Sequence, residues 1–177
     1  MVTEMKTHRV TIIASGLPTE NHAHAERLFE AGCDDATVSL QKGRCVIEFE
    51  REATSFEEAL ESAIHDVRAA GATIERIEPD HLVNASDIAA RGGITRAAVS
   101  LYAGGKRGEG FPAPIARITT DSPLWDWAEV ADWLVREKQA DAQAAHEARV
   151  IREANRSLLD PQRTSPEIER RVREDIV

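Results

Sequence analysis

The chain is poor in cysteine and aromatic residues and has no long apolar run. Its two cysteines, Cys33 and Cys45, lack CxxC spacing and fall inside segments that should pack, so buried thiols are expected rather than a disulfide or zinc pair. The histidines do not cluster: His22 and His24 are two apart and would lie on different sides of a helix, so a metal site or catalytic dyad is not expected there. The turn ASGLPTE holds too little glycine to cradle a phosphate. With no nucleophile, general base or metal-ligand constellation, an enzyme is the least supported class, and no cofactor or metal is expected. No apolar stretch approaches the ~20 residues needed to span a bilayer. The opening MVTEMKTHRV lacks the apolar core of a signal peptide, so a cytoplasmic protein with no membrane partner is expected.

What is present suits an ordinary folded protein: 177 residues, 42% hydrophobic and 30% charged, enough for one sizeable domain or two small ones. The net charge of −9 opposes nucleic-acid binding if spread evenly, because affinity for phosphate comes largely from Lys and Arg. It is not spread evenly. Residues 1–79 hold 8 basic and 15 acidic side chains; residues 80–138 and residues 139–177 each hold 7 and 8. From Ile88 to Gly108 there are four cations, Arg91, Arg96, Lys106 and Arg107, and no acid.

Residues 8–78 read as βαββαβ. Strand signals lie at His8–Ser15, Ala36–Leu40, Arg44–Arg51 and Thr73–Ile77. One helix is expected from a Thr19 cap to Gly32. A second follows Ser55 and Glu58, which have capping-box spacing, with Phe56, Ala59, Leu60, Ala63, Ile64 and Val67 recurring every three or four residues. This order matches the ferredoxin-like split fold, with two helices on one face of a four-stranded antiparallel sheet. If Cys45, Ile47 and Phe49 point into the core, then Arg44, Val46, Glu48 and Glu50 line the open face. Glutamates there repel nucleic acid, which argues against an RNA-recognition module. A metabolite-sensing role has no motif behind it, and pairing with a second copy or another protein is the expected use of the face or edge.

Leu82–Arg107 reads as two short helices joined by a glycine turn. Asn84 or Ser86 can cap the first, in which Ile88 and Ala89 supply apolar contacts, and Gly92 and Gly93 stop it. Thr95 caps the second, where Ala98, Val99 and Tyr102 face the first helix while Arg96, Ala97 and Ser100 face outward. A long cation and two small residues suit a major-groove floor. The stretch resembles the MerR, excisionase and AlpA-like winged helix-turn-helix domains in Ile88 and Ala89, then Gly93, Ile94, Thr95 and Arg96, with Val99 at the second helix's core position. It continues through FPAPI, Phe111–Ile115, which would lead into a β-hairpin wing. PLWDWAEVADWL, Pro123–Leu134, would then be a strand running into a closing helix in which Trp125, Trp127 and Trp133 pack as core. Together these cover roughly a third of the chain. Gly92 departs from the pattern, which has a bulky apolar residue there, and Gly104–Gly110 is unusually glycine-rich; a short or loosely packed first helix follows.

The resemblance implies double-stranded DNA as the partner. Arg96 and Ser100 would approach base edges, Arg91, Lys106, Arg107 and Arg117 would meet phosphates, and Thr95 would donate to a phosphate at a helix N-terminus. From Leu134 to Leu159 the sequence stays helical in character, with Ala144, Ala148, Ile151 and Leu158 on a heptad seam and Asn155 at a polar seam position. Pro161 ends it, and SPEIERRVREDIV reads as a last amphipathic helix.

The expectation is an α+β protein of three parts: an acidic ferredoxin-like domain (1–79), a winged helix-turn-helix DNA-binding domain (80–138) and a helical tail for oligomerisation or partner binding (139–177). Its function would be sequence-specific duplex binding as a transcriptional regulator, acting as a homodimer because specific sites are usually read by paired modules. The rival is a protein-interaction adaptor or antitoxin-like protein that binds a partner through the acidic sheet and the helical tail.

Overall fold

Alternating apolar and polar side chains build a sheet from β1 (Lys6–Ser15), β2 (Ala36–Gln41), β3 (Arg44–Ala53) and β4 (Thr73–Glu78) in the computed structural model, which describes residues 4–159. The strand order is β2-β3-β1-β4, with β1 and β2 both antiparallel to β3; Ile12 faces Ile47, and Val38 faces Ile47 from the other side. Every second residue is buried: Val10, Ile12 and Ala14 on β1, and Cys45, Ile47, Phe49, Arg51 and Ala53 on β3. On this face pack α1 (Ala23–Glu30), through Leu28, and α2 (Phe56–Ala69), through Phe56, Ala59, Leu60, Ala63 and Val67. Removing a side chain such as Phe49 from water contributes about 1.5–3 kcal/mol. The opposite face carries the exposed Arg44, Glu48 and Glu50, with Val46 half-buried, as the alternation predicts.

The described residues are mixed α+β with six α-helices, and fall into two units: residues up to Ile77 with those from Glu153 onward, and Glu78–Arg152. The second unit begins with β5 (Leu82–Val83), α3 (Ala85–Gly92) and α4 (Arg96–Ala103). It continues through β6 (Trp125–Asp126), which pairs antiparallel with β5, and α5 (Trp127–Arg136) into α6 (Ala142–Leu159). Residues of α6 to Arg152 belong to this unit and those after it to the first. Val83, Ile88, Val99, Tyr102, Trp125, Trp133 and Leu134 form the core of the second unit, joined by Ala145 and Ala148 of α6. The seven described residues of the first unit's returning segment include Asn155, which is buried.

Several local expectations change. The first helix is broken: Glu20–His22 is a 3₁₀ turn in which Asn21 and His22 have φ of 52° and 59°, and Thr19 makes no side-chain cap, so α1 starts only at Ala23. Helix does not run unbroken from Leu134 to Leu159. Lys138 takes the left-handed conformation (φ 55°), the Gln139 amide closes α5 on the Leu134 carbonyl at 2.8 Å, and the Gln139 side chain donates to Tyr102 Oη at 2.9 Å. The seam of α6 holds at Ala148, Ile151 and Asn155, which are buried, but it begins at Ala145 and not at the exposed Ala144, and Leu158 is half-buried. The residues of the wing form a single antiparallel bridge, Ala116 with Leu124, rather than paired strands. The expected last helix, from Ser165, lies outside the described residues.

Gly92 and Gly93 stop α3 as expected, but Gly92 is not a loose spot. It is the last residue of α3, where a Cβ would come 3.0 Å from Leu134 Cδ1, so its missing side chain lets α3 approach α5 closely.

Candidate nucleic-acid interface

The two short helices are set by their caps. Asn84 Oδ1 accepts from the amides of Ser86 (2.8 Å) and Asp87 (3.0 Å), and the Asp87 carboxylate accepts from the Asn84 amide at 3.0 Å, a reciprocal capping box. Gly93, with φ 62°, ends α3, and the Ile94 amide closes on the Ala89 carbonyl at 3.1 Å. Thr95 Oγ1 accepts from the Ala98 amide at 3.1 Å and starts α4. Val99 and Tyr102 are buried, whereas Arg96, Ala97, Ser100 and Leu101 are exposed. Arg96 is the only charged side chain of α4.

Ser100 Oγ donates to the Arg96 carbonyl at 3.1 Å, one turn back. Its hydroxyl therefore offers lone pairs outward, so a base-edge partner would have to be a donor, such as the amino group of cytosine or adenine. Thr95 is the converse. Its oxygen accepts from the helix, leaving its O–H to donate.

Around α4 the remaining cations divide. Lys106, Arg107 and Arg117 are exposed. Arg107 lies over the Tyr102 ring, 5.6 Å from its centroid, and Arg117 (φ 52°) opens the loop that the Ala116–Leu124 bridge closes, its carbonyl accepting from the Thr120 amide at 3.0 Å. Arg91 is turned inward. Its Nη1 donates to the Asp80 carbonyl at 2.7 Å, the guanidinium sits 5.5 Å from the Trp127 centroid, and burial pulls its pKa below the ordinary arginine value. It supports the end of α3 instead of presenting charge.

The tryptophans do more than fill the core. Trp133 Nε1 donates to the Glu109 carbonyl at 2.8 Å and Trp125 Nε1 to the Pro112 carbonyl at 3.0 Å, fixing the segment that carries Lys106 and Arg107. Sequence reading placed these indoles in the core without seeing what their N–H groups hold. The general need of a buried indole for an acceptor was the available signal.

The first unit carries a groove of about 660 Å³ whose lining includes Asp34, Asp35, Glu50, Arg51, Glu52 and Asp66. At its base, buried Arg51 donates Nε and Nη2 to the Asp35 carboxylate (2.8 Å each), Nη1 to Asp66 (2.7 Å) and Ser62 (3.2 Å), and Nη2 to the Gly32 carbonyl (3.0 Å). The guanidinium holds Asp35 below the usual carboxylate range and is itself raised by the two aspartates. Every donor direction of this cation is used within the protein, so the cluster ties α2, β3 and the loop before β2 together, and its acidic surroundings repel anions. Burial pushes the neighbouring Cys33 thiol up to about 11 and raises Cys45 as well, so both free cysteines stay protonated.

No described helix is long and apolar enough to cross a membrane, and no group of His, Cys, Asp or Glu among the described residues could hold a metal. Compared with known protein families, curated proteins and solved structures, the chain matches none of them.

Proposed function

We propose that the protein binds double-stranded DNA sequence-specifically and acts as a transcriptional regulator, with residues 80–138 as a winged helix-turn-helix of the MerR, excisionase and AlpA-like kind. The observation that carries this reading is α4 itself: it is capped at both ends of the turn before it, seated by Val99 and Tyr102, and exposed along Arg96, Ala97 and Ser100 with no acid on it. Arg96 would donate to a base acceptor, Ser100 would accept from a base amino group, and Thr95, Lys106, Arg107 and Arg117 would meet phosphates. Arg91, spent on Asp80 and Trp127, serves in a supporting role. One copy offers few phosphate contacts, so the working form is a homodimer on two half-sites. The strand order β2-β3-β1-β4 supports a ferredoxin-like first domain, whose acidic open face keeps it off the nucleic acid and available to protein.

Selection of duplexes from a random pool, with the oligomeric state measured alongside, tests the reading. A palindromic consensus bound by two copies is expected, and Arg96→Ala should relax preference at one position per half-site. Failure to retard any duplex at low ionic strength would sink it in favour of the protein-interaction adaptor.

A further inference from the structure

The segment GGKRGEG, between α4 and Phe111, is held from beneath by aromatic side chains. Gly105, Gly108 and Gly110 have φ of 66°, 66° and 70°, conformations that disfavour other residues. Phe111 packs edge-on to Trp133 at 5.0 Å and stacks on Tyr102 at 6.0 Å. Gly108 lies on the same two rings, where a Cβ would fall 2.7 Å from Trp133 Cζ2 and 3.3 Å from Tyr102 Cδ1. Arg107 covers the Tyr102 ring, and the Glu109 and Pro112 carbonyls accept from the Trp133 and Trp125 indoles.

Those two carbonyls decide where the next amides go. In a trans peptide the C=O and the following N–H point to opposite sides. With the Glu109 and Pro112 carbonyls turned to the indoles, the amides of Gly110 and Ala113 point away from them. Neither the backbone amides from Arg107 to Phe111 nor that of Ala113 donates to an acceptor among the described residues. Undonated amides in the same short segment as two exposed cations are the parts of an anion-binding loop, and a loop already clamped loses little entropy when an anion arrives. Glu109, the one acid of the segment, opposes such a ligand.

We propose that residues 106–113 form a preorganised phosphate site in which the Gly110 and Ala113 amides donate to phosphate oxygens while Lys106 and Arg107 supply charge, and that its occupant is a backbone phosphodiester of the bound duplex. The occupant rests on the DNA reading; the phosphate chemistry does not. Trp125 and Trp133 are positioning residues.

Two arms test it on the full chain. In the first, duplexes carrying single uncharged methylphosphonate linkages are bound to the wild type and to a Lys106→Ala/Arg107→Ala variant. One linkage per half-site should weaken wild-type binding roughly tenfold, the scale of a lost charge-assisted hydrogen bond, and weaken the variant less, because it keeps the amides but lacks the two charges. Glu109→Gln should tighten binding. Equal sensitivity of wild type and variant at every linkage overturns the proposal. In the second arm, ¹⁵N amide shifts are followed while inorganic phosphate is added. Movement of Gly110 and Ala113 that saturates is expected. If they move with phosphate while no duplex binds, the DNA reading fails and the phosphodiester occupant with it; if they move with neither, the site is refuted outright.

Discussion

Arg51 shows how one residue fixes a junction that its neighbours in sequence do not announce. It continues the alternation of β3 onto the core face, and it is 8% exposed, yet it is charged. A buried cation is tolerable only when paired, and removing it would strand Asp35 and Asp66 beside apolar packing. Arg51→Ala should therefore destabilise the fold by about 3 kcal/mol, the lower end of the range for breaking a buried pair because both carboxylates keep some contact with water. Urea denaturation followed by circular dichroism measures it, and a loss under about 1 kcal/mol would mean the cluster is solvated. The pH dependence has a definite sign. Asp35 is held below its unfolded value by Arg51, so its contribution is fully present above the ordinary aspartate range, near 3.9, and disappears as the pH falls through the lower folded value. Asp35→Asn should flatten the acid limb of the stability curve and leave its slope near neutral pH unchanged.

At the scale of the element, turns and edges decide more than helix propensity. Gly108 and Gly43 have φ of 66° and 77°, but Gly43 has open space where a Cβ would stand while Gly108 has Trp133 at 2.7 Å. Alanine at Gly43 should cost about 1 kcal/mol from backbone strain alone, and alanine at Gly108 roughly 1–3 kcal/mol more from overpacking. Comparing the two unfolding midpoints separates conformation from crowding. Equal losses would mean the loop is not seated on the indole. The edge strand β4 gives a second case. The Asn155 side chain accepts from the Ile77 amide at 2.8 Å and donates to the Ile77 carbonyl at 2.9 Å, taking the place of a neighbouring strand. Asn155→Leu would leave two buried backbone groups unpaired and should cost roughly 2–4 kcal/mol by the same denaturation assay. These contacts also mark what sequence could and could not reveal. The caps at Asn84, Ser55 and Thr95 were legible because a side chain and its amide partner lie two or three residues apart. The strands were legible because burial alternates with period two. Asn155 and Ile77 are 78 residues apart, and Arg51 reaches partners 15 and 16 away, so only the folded chain reveals either pairing. The break at Lys138 was hidden for another reason: a lysine in the left-handed conformation carries no sequence mark of its own, and Gln139 is drawn to Tyr102 by tertiary structure. Within the candidate site, the outward face of α4 was legible from helical spacing, whereas the inward turn of Arg91 was not.

For the molecule as a whole, the question is how a chain of net charge −9 could hold a polyanion. Most of that charge resides in residues 1–79, whereas α4 and the loops around it carry Arg96, Lys106, Arg107 and Arg117, so the charge local to α4 is cationic. Three exposed cations, Lys106, Arg107 and Arg117, together with Arg96 give three or four neutralised phosphates per copy at most. Each contributes about −0.9 to the slope of log affinity against log salt concentration. One bound copy thus predicts a slope of roughly −3 and two copies roughly −6, with the acidic remainder of the chain unable to steepen it. Fluorescence anisotropy across a salt series, with stoichiometry from sedimentation of the same complex, yields both numbers. A slope near −6 with two copies per duplex fits paired modules, and Lys106→Ala in both copies should reduce its magnitude by about 2. A slope near zero would show that the phosphates are not being met at all. In that case the exposed cations are ordinary surface, and the open acidic face of the first unit becomes the surface on which to look for a partner.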